Sequence, residues 1–135
     1  MTNELKTAPV PFEVPARAIA TAFVDSLSRR DFDGMAGCLA ADVRFRALLP
    51  PRDVDVTGPE ATLAEFRRWF GDESQRLELV DSTVGELGDR VYMRWLIRMS
   101  SADTGASRLV EQHVFSTAGD RIKTLSLLCS GFVAG

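Results

Sequence analysis

Residues 91–99, VYMRWLIRM, constrain the fold more than any other stretch of this chain. In a strand, successive side chains point to opposite faces. Val91, Met93, Trp95, Ile97 and Met99 then make one wholly apolar face, and Tyr92, Arg94, Leu96 and Arg98 a mixed one. The apolar side has to be covered by helices or another sheet. The mixed side suits water or a partner subunit. Segments of similar length lie at roughly 75–87, 107–117 and 121–132, separated by LGD, SSADTGAS and AGD, all with turn chemistry. The C-terminal half therefore reads as a four-stranded antiparallel meander.

Helical spacing precedes the meander. From 16 to 30, Ile19, Phe23 and Leu27 recur every four residues, giving an amphipathic helix with one inward face. A shorter helix follows Asp31, a suitable N-cap, with Phe32, Met35 and Leu39 on one side. Gly34 and Gly37 weaken that helix by about 1 kcal/mol each relative to alanine, so packing has to hold it. VRFRAL, 43–48, alternates as a strand that turns Val43, Phe45 and Ala47 one way and Arg44 and Arg46 the other. A proline-rich loop, LPPRDVD, leads to TGPE, where Thr57 and Glu60 have capping-box spacing and Pro59 fits the first turn. That third helix turns Leu63, Phe66 and Phe70 inward and stops at Gly71. The expected fold class is α+β, with three N-terminal helices packed on a strongly curved sheet. Pro9, Pro11 and Pro15 predict an extended arm over 1–15, leaving a single domain over 16–135.

The bulk numbers narrow the function. A chain of 135 residues builds one core without staples. A net charge of −3 offers no footprint for nucleic acid or an acidic membrane surface. Cys38 and Cys129 lie in apolar stretches far apart and read as reduced core residues. The first fifteen residues lack a basic start followed by an apolar run, and no stretch is long enough to cross a membrane, so a cytoplasmic protein is expected. No H-x-E, C-x-x-C or carboxylate cluster points to a metal, and no glycine-rich loop follows a strand, so neither metal nor cofactor is expected.

LVEQHVFST, 109–117, holds the sole histidine, His113, two positions after Glu111. Strand alternation places both on one face with Leu109 and Phe115. Imidazole gives or takes a proton near neutral pH, and a carboxylate neighbour tunes it. Residues two apart on a strand face are about 6.5–7 Å apart by Cα, so Glu111 reaches His113 side by side or through water.

The element order, together with LAADVRF, TGPEATLAEF and VFSTAGDRI, resembles the nuclear transport factor 2-like superfamily, and within it the SnoaL-like and ketosteroid isomerase-like branch. The resemblance covers about residues 16–133. It implies a cone, in which a curved sheet wraps the helices around a deep apolar cavity. Such folds host isomerases, epoxide hydrolases, polyketide cyclases, dehydratases and binding or scaffold proteins, so the site has to carry the function. Against the ketosteroid isomerase pattern, Phe23 stands at the oxyanion-hole tyrosine, Ala47 at the general-base aspartate and His113 at the second oxyanion aspartate. A steroid isomerase working by that mechanism is not expected. An epoxide hydrolase would need an Asp–Arg–Asp set, and Asp81 and Arg90 do not make one.

The same matching lines the cavity with Phe23, Leu27, Leu39, Phe45, Ala47 and Phe66 from the helices and first strand, with Trp69 at its mouth. From the meander it adds Met93, Trp95 and Ile97, then Leu109 and Phe115, then Leu125, Leu127 and Cys129, with Glu111 and His113 as polar handles. The expectation is a small cofactor-independent enzyme of cyclase, isomerase or dehydratase (lyase) type. His113 and Glu111 would supply acid–base chemistry to a hydrophobic polyketide-, terpenoid- or steroid-like molecule. The alternative is a non-catalytic ligand-binding or assembly domain that dimerises through the outer sheet face. A homodimer is expected in either case.

Overall fold

A computed structural model describes residues 10–50 and 52–135, with the side chains of 10–15 left aside. Helices α1 (Val10–Ser28) and α2 (Phe32–Gly37) are followed by strands β1 (Leu39–Leu48) and β2 (Asp53–Thr57), then helix α3 (Pro59–Phe70). Strands β3 (Gln75–Leu87), β4 (Arg90–Ser101), β5 (Ser107–Ala118) and β6 (Ile122–Cys129) form the meander, and a two-residue β7 (Val133–Ala134) ends it. The class is α+β as expected, and β1 lies between α2 and α3 where the sequence places it, so that two helices rather than three precede the sheet.

Three local expectations also shift. Helix α1 begins at Val10 and runs through Pro11 and Pro15, so the extended arm does not reach residue 15; residues 1–9 lie outside the described part. The proline-rich loop contains strand β2, in which Val54 is buried between exposed Asp53 and Asp55. Thr57 does not cap α3: the N-cap is Gly58, at φ +96°, and the Thr62 hydroxyl donates back to the Gly58 carbonyl at 2.8 Å. Asp31 does cap α2, accepting from the Gly34 N–H at 2.9 Å, and Gly71 closes α3 by donating to the Arg67 carbonyl.

The sheet order is β2-β1-β6-β5-β4-β3, with β7 added on β5. All pairs are antiparallel except β1 with β6, which run parallel. The helices cover one face. Val91, Met93, Trp95, Ile97 and Met99 are all buried there, as the alternation of β4 predicts.

Phe66 of α3 is the hub of the core. Its ring lies 5.2–6.5 Å, centroid to centroid, from Phe23, Phe45, Trp69, Phe70 and Trp95. These separations are those of aromatic rings in direct contact. Phe23, Leu27, Phe45, Phe66, Met93, Trp95 and Ile97 are each 0% exposed. No space as large as a water molecule borders them, so the expected open cavity is filled by its own wall.

Candidate functional site

The β4–β5 hairpin decides which groups face the interior. Ser100 pairs with Ser107 and Met99 with Arg108 across the turn, so Trp95 lies opposite Gln112 and Met93 opposite Val114. Directly paired residues share a face. The interior therefore receives Val110, Gln112, Val114 and Ser116, all buried, and the outer face receives Leu109, Glu111, His113 and Phe115. This reverses the expected facing of β5. His113, Glu111 and Phe115 do not face the interior; Phe115 is 38% exposed on the outside. The neighbouring strand β6 faces as expected, with Leu125 and Leu127 buried and Cys129 half-buried. Trp69 is half-buried at the edge of the aromatic cluster.

On the sheet side of the interior, the polar side chains of β4, β5 and β6 are neutral. The Trp95 indole N–H donates to Gln112 Oε1 at 2.7 Å, and Gln112 Nε2 donates to Cys129 Sγ at 3.3 Å. Among the described residues Ser116 Oγ and Arg30 Nε are buried without a partner. Gln112 was missed from sequence. Its signal was a lone amide between two valines, legible only once the hairpin register is known. Among the described residues one acid group is counted buried, Glu65, and it accepts from Arg52 at 2.8 Å. Both cysteines are free, and burial pushes the Cys38 thiol above its ordinary value.

Outside, the ionisable groups form a continuous chain. The Tyr92 hydroxyl lies 2.7 Å from His113 Nδ1, and His113 Nε2 lies 3.0 Å from Glu111 Oε2. A carboxylate only accepts, so in the neutral ring Nε2 carries the proton and Nδ1 accepts from Tyr92. Arg94 joins the chain at its far end, donating from Nε to Glu111 Oε2 at 2.7 Å and from Nη1 to Asp81 at 3.0 Å. The Arg94 hydrogen bonds hold both carboxyl groups below the ordinary carboxylate range. Their contribution to stability is thus present above the unfolded carboxylate value and is lost as pH falls through the lowered one. Arg94→Gln is expected to return both titrations upward toward ordinary values, read as ¹³C carboxyl shifts between pH 2 and 6, close to about 4 for free side chains. Unmoved titrations would contradict the geometry.

An apolar ridge runs beside this chain. Tyr92 pairs with Phe115, and Leu128, opposite His113 on one side, pairs with Leu48 on the other. Leu48 is 56% exposed and Leu128 50%. Phe115 stands between two open clefts, one of about 360 Å³ lined by Leu87, Tyr92 and His113, the other of about 420 Å³ lined by Leu48, Leu128 and Arg46. Among the described residues no three His, Cys, Asp or Glu side chains converge on a metal position, and no helix is long and apolar enough to cross a membrane.

A small α+β cone with an enclosed aromatic interior and its ionisable groups on the outer sheet face is the class these observations define. The chain belongs to the SnoaL-like domain family, which it matches over residues 20–125. Solved structures share the fold at low identity. A candidate polyketide cyclase from Xanthomonas campestris is 23% identical, with 83% of this chain and 90% of that chain covered at a TM-score of 0.63. An epoxide hydrolase from M. tuberculosis is 17% identical, with coverages of 87% and 84% and a TM-score of 0.63. A candidate isomerase from Bacillus subtilis is 13% identical, with both coverages 86% and a TM-score of 0.68. No curated protein matches the sequence.

Proposed function

We propose that this chain is a non-catalytic SnoaL-like domain of the cytoplasm that works as an assembly module, a homodimer paired through its outer sheet face, with a packed interior that carries no acid–base chemistry. The facing of β5 carries this reading. It leaves the sheet side of the interior with Gln112, Ser116 and Cys129, none of them a general base near neutral pH, and sends Glu111 and His113 outside; the one buried carboxyl among the described residues, Glu65, is tied to Arg52. The outer face has what self-association needs: a protruding aromatic ridge beside apolar clefts of side-chain size, bordered by charges of both signs. Sedimentation velocity at micromolar concentration is the test. A dimer is expected, and a monomer throughout would overturn the pairing.

One observation favours a second reading, an enzyme of cyclase, isomerase or dehydratase type. The Tyr92–His113–Glu111 chain is a hydrogen-bonded relay, in which a hydroxyl meets a base that is oriented by a carboxylate. In this reading His113 is the acid–base group and Glu111 its orienting partner. The test is the ¹⁵N and ring-proton titration of His113 with a panel of hydrophobic ketones and polyketide-like aromatics. Ligand-dependent titration, with turnover lost in His113→Gln, would support the enzyme. A titration indifferent to every ligand would leave the relay as an interface element.

A further inference from the structure

We propose that two copies of this chain meet in one register, set by a two-fold axis along the seam between β5 and β6, which lowers Phe115 of each copy into a notch over Ser126 of the other. This rests on the pairing proposed above and adds to it which residues meet. Strand pairing orders the outer face into rows. One row reads Tyr92, Phe115, Ser126 and Arg46 across β4, β5, β6 and β1. The next reads Arg94, His113, Leu128 and Leu48, and ends at Asp53 of β2.

The first row has one knob and one hole. Phe115 stands 38% exposed, and its neighbour Ser126 is the smallest side chain of the row. The cleft of about 420 Å³ lies over that serine, with Phe115, Arg46, Leu48 and Leu128 around it, and it has room for a phenyl ring. Two identical faces that oppose one another are related by an axis lying between them, and the axis exchanges positions on its two sides. An axis that exchanges Phe115 with Ser126 has to run between their strands and parallel to them. Moved onto β5 itself, it would set Phe115 against its own copy and leave the cleft unfilled. Aligned sheets cross at about 30°, so contacts close to the axis hold this register and distant ones drift from it.

Charge supports the same axis. Asp55, the cross-strand neighbour of Arg46, is taken by Arg44, which leaves Arg46 without an ion-pair partner among the described residues. Asp53, exposed at the other side of the cleft, makes no ion pair there either. The axis places Arg46 of one copy at the Tyr92 ring of the other, where a guanidinium meets the negative face of an aromatic ring. It brings Leu48 and Asp53 of one copy to Arg94 of the other, whose Nη2 is left over from the bonds to Glu111 and Asp81. Each unpaired charge of the cleft gains a complement, without which burying it would be heavily penalised.

The experiment is a charge exchange on the full chain, read by sedimentation equilibrium. Within one chain Tyr92 and Arg46 are three strand spacings apart, about 14 Å, too far to couple directly. Arg46→Glu takes the cation from the Tyr92 ring, and Tyr92→Lys sets two cations together. Each is expected to raise the dimer dissociation constant roughly 10–100-fold, since every contact occurs twice in the dimer. R46E with Y92K in one chain opposes a carboxylate to an ammonium across the interface, and is expected to return to within about tenfold of the parent. The two single variants should likewise associate better mixed than apart. Thermal unfolding at low concentration checks that each is folded. In case Tyr92→Lys is not, Ser126→Trp leaves the Tyr92–His113 bond alone, fills the notch, and is expected to abolish pairing at micromolar concentration. Additive effects without rescue, or a dimer untouched by Ser126→Trp, overturn the register and leave the pairing standing. A monomeric parent overturns both.

Discussion

Phe66→Ala is expected to destabilise the fold by about 3–5 kcal/mol, measured as the shift in urea unfolding at unchanged m-value. Domains of this size have a total stability of roughly 5–15 kcal/mol, so the variant would sit close to its unfolding threshold. The size of the loss follows from the ring's surroundings. Five other aromatic rings contact it and no solvent reaches it. Truncation therefore forfeits both the transfer free energy of the side chain and its contacts on every side. An open ligand cavity would give a different result, because a ring with one face on a void has fewer contacts to lose. A measured loss below about 1.5 kcal/mol would show that the interior in solution is looser than the packing described above. The same variant is also expected to gain affinity for small apolar molecules, since apolar voids of this kind stay dry and accept them.

The second large effect concerns the outer face. Phe115→Asp with Leu128→Asp is expected to raise the dimer dissociation constant on the order of a thousand-fold, since central apolar anchors contribute about 2 kcal/mol or more each. Both side chains are substantially exposed in the single chain and support no core contact. The variant should thus keep the stability of the monomer to within about 0.5 kcal/mol, as surface substitutions usually do. Sedimentation velocity and thermal unfolding at low protein concentration, measured together, separate the two effects. A variant that stays dimeric would move the partner surface elsewhere. A variant that becomes monomeric only because it unfolds would betray itself in the melt.

The sequence made β4 legible because five apolar residues in strict alternation leave no choice of face. Strand β5 is the opposite case. Val110 and Val114 lie on one face and Leu109 and Phe115 on the other, so hydrophobicity alone does not choose between them. The choice is made by the turn, where Ser100 meets Ser107. A slip of one residue there would exchange the two faces along the whole strand. That is why His113 was expected inside and lies outside, although both strands beside it were read with the correct facing. Strand β2 was missed for a related reason. Two prolines dominated the reading of the loop, while the alternating DVDVT behind them was short enough to pass as part of it. The chain of contacts from Tyr92 to Asp81 was hidden because it joins three strands, and only pairing brings such residues together.

The parallel pairing of β1 with β6 also bears on how the protein is made. Strands β1 and β2 come from residues 39–57, but among the described residues the strand that joins them to the rest of the sheet is 122–129. A chain still lacking those residues holds a hairpin with an unpaired edge, and a meander that cannot close around its helices. Contacts so distant in sequence slow folding, because the intervening loop has to be closed before they repay it. Assembly of the core is thereby deferred until residues 122–129 have been made, and any truncation within β6 leaves two open edges able to recruit strands from other molecules.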